Sequence, residues 1–141
     1  MDETILNGAN VVAMFCRQNI NTKKELPLRS SEIGLLIYTV KNEYPVTPLM
    51  AADFFKVSKP MIAGMVKSLT SKEYLTKEQS QTDRRSFALV PTDKAIALTN
   101  SVYDEYFKVI NRLLSGMGKE KYKSMIALLE EANAVLLEGD K

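Results

Sequence analysis

Residues 46–92, VTPLMAADFFKVSKPMIAGMVKSLTSKEYLTKEQSQTDRRSFALVPT, decide the fold. Thr47 offers a side-chain oxygen to an unpaired amide, and Pro48 follows at the first helical position, where a missing N–H costs nothing. Leu49, Ala52 and Phe55 mark the apolar side of the short helix that starts there. Lys56 and Val57 make a tight connection. Ser58 is a second helix cap, followed by Met61, Ile62, Met65, Val66 and Leu69 at the three-and-four spacing of a buried helical stripe. Two short capped helices separated by so few residues form a helix-turn-helix. After Tyr74 the period changes: 75–78 and 87–90 are strand-like runs, and the polar stretch from Gln79 to Ser86, with Arg84 and Arg85, is the tip of a hairpin. A helix-turn-helix followed by a basic hairpin is a winged helix.

Outward from this stretch the chain reads as helix. Residues from about Ile5 to Lys23 place Ile5, Leu6, Ala9, Val12, Ala13, Phe15, Cys16 and Ile20 on a surface broader than one stripe. Pro27 breaks that helix. Ser30 or Ser31 caps the next one, with Glu32 in its first turn and Ile33, Leu36, Ile37 and Val40 on its core side. Tyr44-Pro45 ends it, and Val46 is placed to pair with the hairpin as a short third strand. Thr92 caps a long helix whose apolar positions run from Ile96 to Leu114. Ser115 to Gly118 breaks it, and a last helix follows from about Lys119 to Leu137.

The composition narrows the function. The 141 residues carry 45% hydrophobic and 26% charged side chains, the balance of an ordinary globular protein. The net charge of +2 is too small to identify a nucleic-acid partner by itself, so the electrostatic case rests on where Lys and Arg sit. One cysteine and no histidine remove the disulfide framework, the Cys/His zinc site and the usual general base together. The expectation is a protein that is not an enzyme and takes neither metal nor cofactor. No apolar run approaches the roughly 20 residues of a membrane span, and the acidic start MDETILNG is unlike a secretory signal. A cytoplasmic protein is expected. The terminal helices are more apolar than one winged helix can cover, which points to a twofold dimer; a monomeric bundle folded back on the winged helix is the plainer alternative.

Within the helix-turn-helix, the positions available to a DNA major groove are Ser58, Lys59, Pro60, Ala63, Gly64 and Lys67. Lys59 can reach a guanine edge or a phosphate, and Lys67 suits backbone phosphate. Ser58 also reads as a helix cap alone, and Pro60 and Ala63 offer only apolar contact, for instance to a thymine methyl. On the hairpin the candidates are Asp83, Arg84, Arg85 and Ser86, with Lys77 and Thr82 as further phosphate contacts; a solvated basic turn is the plainer reading. Met14, Met50, Met61, Met65 and Met117 read as core fillers.

VSKPMIAGMVKSL (57–69) and DRRSFALVPT (83–92) resemble the MarR family of transcription regulators. The family's recognition helix follows V-S-[KR]-[PS]-x-[IV]-[ST]-x-[ML]-[VI]-[KD]-x-L, and its wing follows D-x-R-x-x-x-[LV]-x-[LP]-T. With the flanking helices the similarity covers nearly the whole chain. It implies a mainly α, α+β fold: one domain, 1–141, with a winged helix at 30–92 and a helical dimerisation region at 1–29 and 93–141. It implies a homodimer on a pseudo-palindromic operator, with Arg85 in the minor groove and Asp83 bracing it. It further implies a repressor released by a small aromatic or lipophilic effector, in a cleft that Phe15, Ile37, Tyr38 and Tyr106 would line. Some relatives sense hydroperoxides through a first-helix thiol, but Cys16 lies among apolar neighbours and reads as a buried structural thiol. The chain departs from the family at four places: Arg29 stands where a capping Ser or Thr is usual, Ala63 lacks a hydroxyl, Gly64 replaces a long polar side chain, and Glu73 replaces a glycine. The loss of polar groups at Ala63 and Gly64 keeps open a second function, a winged helix that binds protein instead of DNA.

Overall fold

The computed structural model describes residues 2–21, 26–79 and 86–139. The elements in order are α1 (Glu3–Asn21), α2 (Ser30–Lys41), α3 (Pro48–Phe55), α4 (Lys59–Ser71), β1 (Leu75–Gln79), β2 (Phe87–Pro91), α5 (Asp93–Tyr106), α6 (Lys108–Met117) and α7 (Lys119–Gly139). The chain divides into two compact units. One comprises residues 24–104, and the other comprises 1–23 together with 105–141.

The 24–104 unit is a winged helix built around α2. Glu32, Ile33, Leu35, Leu36, Ile37 and Thr39 are all buried, so this helix is covered on every side, as its nearly unbroken apolar sequence requires. Ala51 and Ala52 of α3 and Ile62, Val66 and Leu69 of α4 complete the helical part of the core. The strands pair antiparallel from Leu75 opposite Pro91 to Gln79 opposite Phe87. Val46 forms the expected third strand as a single bridge, its carbonyl accepting the Leu89 amide at 2.7 Å. Leu75, Leu89 and Val46 turn their side chains into the core while the rest of β1 faces solvent.

Several expectations change here. Arg29, not Ser30 or Ser31, holds the cap position of α2. A guanidinium has no acceptor, so the only side-chain bond at this cap comes from Glu32, whose Oε1 accepts the Arg29 amide at 3.4 Å. Leu49 and Met61 leave the apolar stripes: each sits in the first turn of a short helix and is 55% exposed. The long helix after Thr92 is interrupted at Phe107, whose φ of −95° and ψ of 5° end α5 and begin α6. The next break is confined to Gly118, at a φ of 88° that favours glycine, with its N–H donating to the Leu114 carbonyl.

In the other unit α1, α6 and α7 keep helical spacing but bury little. Ile5, Leu6, Val11, Val12, Met14 and Phe15 of α1 are exposed, as are Leu128, Leu129, Val135, Leu136 and Leu137 of α7. Cys16 is exposed too, which corrects its reading as a buried thiol: its apolar neighbours on α1 are themselves exposed, so spacing alone does not bury it. Nor are the methionines core fillers. Met14, Met61 and Met117 are exposed, and Met50 and Met65 only half-buried. Among the described residues no helix is long and apolar enough to cross a membrane.

Candidate nucleic-acid interface

The outward face of α4 is the centre of the candidate site, and three local devices fix it. Ser58 caps the helix, its Oγ accepting the Met61 amide at 3.2 Å, and Pro60 lies in the first turn. Thr47 caps α3 in the same way, accepting from Met50 at 3.2 Å. Between them Lys56 takes a left-handed conformation, φ 57° and ψ 46°, that sets the tight turn. With Ile62, Val66 and Leu69 turned inward, helical geometry sends Lys59, Pro60, Met61, Ala63, Gly64 and Lys67 outward, and all six are exposed. Space around Gly64 is open: a Cβ there would meet no atom within 4 Å.

A buried carboxylate holds α4 against α2. Glu32 Oε2 accepts the Ser68 hydroxyl at 2.7 Å, Oε1 accepts the Arg29 amide, and the Lys72 ammonium stands 4.0 Å away. One side chain thus satisfies the start of α2 and fixes the C-terminal part of the candidate recognition helix. Ser68 is thirty-six residues distant in the sequence, so only the place of Glu32 in the first turn of α2 was readable beforehand.

Thr92 performs the corresponding task for the wing. Its Oγ1 donates to the Glu73 carbonyl at 2.8 Å and accepts the Ala95 amide at 3.2 Å, capping α5, while its own amide donates to the Tyr74 carbonyl at 3.1 Å. Lys94 adds a bond to the Lys72 carbonyl at 2.8 Å and lies over the Tyr74 ring, 4.4 Å from its centroid. Glu73 adopts a φ of 67°. The conformation is therefore the one a glycine would suit, held here by a residue with a Cβ.

On the wing, Lys77 lies over the Phe87 ring at 4.9 Å, which anchors a cation on the arm of the hairpin. Ser86 is half-buried at the foot of β2. Asp83, Arg84 and Arg85, with Thr82, lie outside the described residues. The residues named for an effector fall in different units. In the winged helix Ile37 is buried, and Tyr38 stacks on Phe54 at 4.5 Å and meets Phe55 edge-on at 5.6 Å. In the other unit Phe15 is exposed, and Tyr106 packs edge-on against Phe107 at 4.9 Å. Burial pushes the Tyr106 phenol above its ordinary value of 10.0.

Sequence reasoning missed Met61 as a surface residue, and it missed the reach of Glu32 to Ser68. Among the described residues no three His, Cys, Asp or Glu side chains gather as metal ligands would.

No protein-family model and no curated protein sequence matches the chain. Solved structures match along nearly its whole length. A MarR protein from Peptoclostridium difficile DA00132 superposes with a TM-score of 0.71 at 22% identity, over 96% of this chain and 89% of that one. MepR of S. aureus, solved as a complex with DNA, gives 0.68 at 16% identity over 96% and 98%. The PcaV transcriptional regulator of Streptomyces coelicolor, solved with its natural ligand, gives 0.72 at 16% identity over 87% and 89%. The chain has the winged-helix fold of the MarR-type transcriptional regulators.

Proposed function

We propose that this chain is a cytoplasmic, sequence-specific DNA-binding regulator that acts as a homodimer. The observation that carries the reading is the outward face of α4: a capped helix, braced from behind by Glu32, that presents Lys59 and Lys67 on either side of a smooth surface at Pro60, Ala63 and Gly64. A surface of that kind fits a major groove, with its lysines on phosphate and its small residues close to the bases. Arg85 would enter the adjacent minor groove with Asp83 as its brace, and Arg84 and Ser86 would hold the backbone nearby. The complex of MepR with DNA supports the same use of this fold.

The exposed apolar faces of α1 and α7 support the homodimer. A second copy would cover them and set two α4 helices against the half-sites of a pseudo-palindrome. The regulator would act as a repressor, released by an aromatic or lipophilic effector. Such an effector works only by binding the released geometry better than the DNA-bound one. The ligand complex of PcaV supports this part of the reading.

The test is binding to fragments of the source genome as a function of salt. The expected result is a log affinity that falls linearly with log salt, with Arg85→Ala weakening every duplex that carries the site. A folded dimer that retains no fragment at low salt would reject the DNA reading. The apolar first turns of α4 would then favour a protein-binding winged helix.

A further inference from the structure

On the reading that α4 enters a major groove, we infer that Met61 is a specificity-determining residue that recognises the C5-methyl group of thymine. Its side chain is 55% exposed, although its neighbour Ile62 is fully buried. It lies in the first turn of α4, directly after the Ser58 cap, and its own amide is tied to that cap. Helical side chains lean toward the N-terminus of their helix, so Met61 covers the surface over that opening turn, the part of a recognition helix that meets base edges first. Around it the chemistry is apolar. Pro60, Ala63 and Gly64 are exposed and have no side-chain hydrogen-bonding group, so within 59–64 only Lys59 can donate to a base.

A groove face with so few donors cannot read adenine or guanine by paired hydrogen bonds at several positions. What it can read is the one apolar group the major groove displays, the thymine methyl. Methionine suits this task, since its unbranched, polarisable chain adapts to the position of a methyl group and has no polar atom to desolvate at cost. The bare surface at Gly64, with nothing within 4 Å, lets the helix approach the bases closely enough for contact. The preference expected is therefore for thymines under the first turn of α4 in each half-site.

The experiment starts from duplexes selected by the wild-type protein from random sequence. Each thymine of the selected half-site is replaced in turn by deoxyuridine, which deletes the methyl and leaves the base pair intact. At one or two positions wild-type affinity should fall about four-fold, the worth of one buried carbon. With Met61→Ala, which alters an exposed side chain and should leave the fold intact, the same replacements should have no effect. Uracil replacements that are neutral throughout, or that cost Met61→Ala as much as wild type, would overturn the assignment while leaving DNA binding in place. Failure to select any duplex would remove both this inference and the DNA reading beneath it.

Discussion

The helices α2 and α7 both carry apolar residues at three-and-four spacing, yet their fates differ. Seven of the twelve residues of α2 are buried. None of the described residues of α7, twenty-one positions long, is buried. The same contrast holds for the two units: every buried apolar side chain described lies between Leu28 and Val102, within the 24–104 unit. Periodicity says that a helix has an apolar face, but it does not say what covers that face. The winged helix supplies its own cover. The terminal helices are left short of one, and the homodimer is our account of what they lack.

The largest expected effect tests the half that is complete. Ile62→Ala removes a fully buried side chain where α4 joins the core, and should cost about 3 kcal/mol in denaturant unfolding. Its counterpart is Leu128→Ala on α7, which is 64% exposed in the single chain. If a second copy covers that position, the substitution should cost about 2 kcal/mol, and the midpoint of thermal unfolding should rise with wild-type protein concentration. A loss below about 0.5 kcal/mol and a concentration-independent midpoint would return the face to solvent and remove the dimer.

The next prediction concerns how the complete half positions its reading helix. Glu32→Ala leaves the Ser68 hydroxyl and the Arg29 amide without their acceptor and should cost about 2 kcal/mol. Glu32→Gln keeps one oxygen to accept the Arg29 amide and gains an N–H that can donate to the Ser68 hydroxyl oxygen, and should recover most of that stability. If alanine and glutamine variants unfold alike, the carboxylate charge and its proximity to Lys72 matter more than the bond geometry.

What was readable in the sequence follows the range of the interaction involved. Thr47, Ser58 and Thr92 were legible as caps because each bonds an amide three residues away. The ends of the hairpin were legible from the change of period, and Val46 from its place between a proline and a cap. Met61 and Leu49 were misassigned because a first helical turn has neighbours on one side only, so spacing alone overstates burial there. Phe107 gave no warning: its φ and ψ lie in the bridge region, which is sparsely populated but open to residues with a Cβ, so neither glycine nor proline was needed. The bond from Ser68 to Glu32 joins residues that only the finished fold brings together. The candidate site was legible to the extent that α4 was, since the exposure of Lys59, Pro60, Ala63, Gly64 and Lys67 follows from a cap and a stripe.

The smallest expected effect lies at Glu73, where the winged helix keeps a strained residue in the junction between α4 and β1. Its φ of 67° places a Cβ in the left-handed region, which costs about 1–2 kcal/mol in a residue of this kind. Its carbonyl meanwhile accepts the Thr92 hydroxyl, so the backbone is not free to relax away. Glu73→Gly removes the steric cost but adds freedom to the unfolded chain, worth about 0.5–1 kcal/mol in the opposite direction. The net result should be a gain below about 1 kcal/mol and a rise of a few degrees in melting temperature. The Glu73 side chain is exposed, so a destabilised glycine variant would mean that this carboxylate has a partner in the junction. A neutral result would place the left-handed turn among conformations that the surrounding bonds, above all those of Thr92, hold without strain.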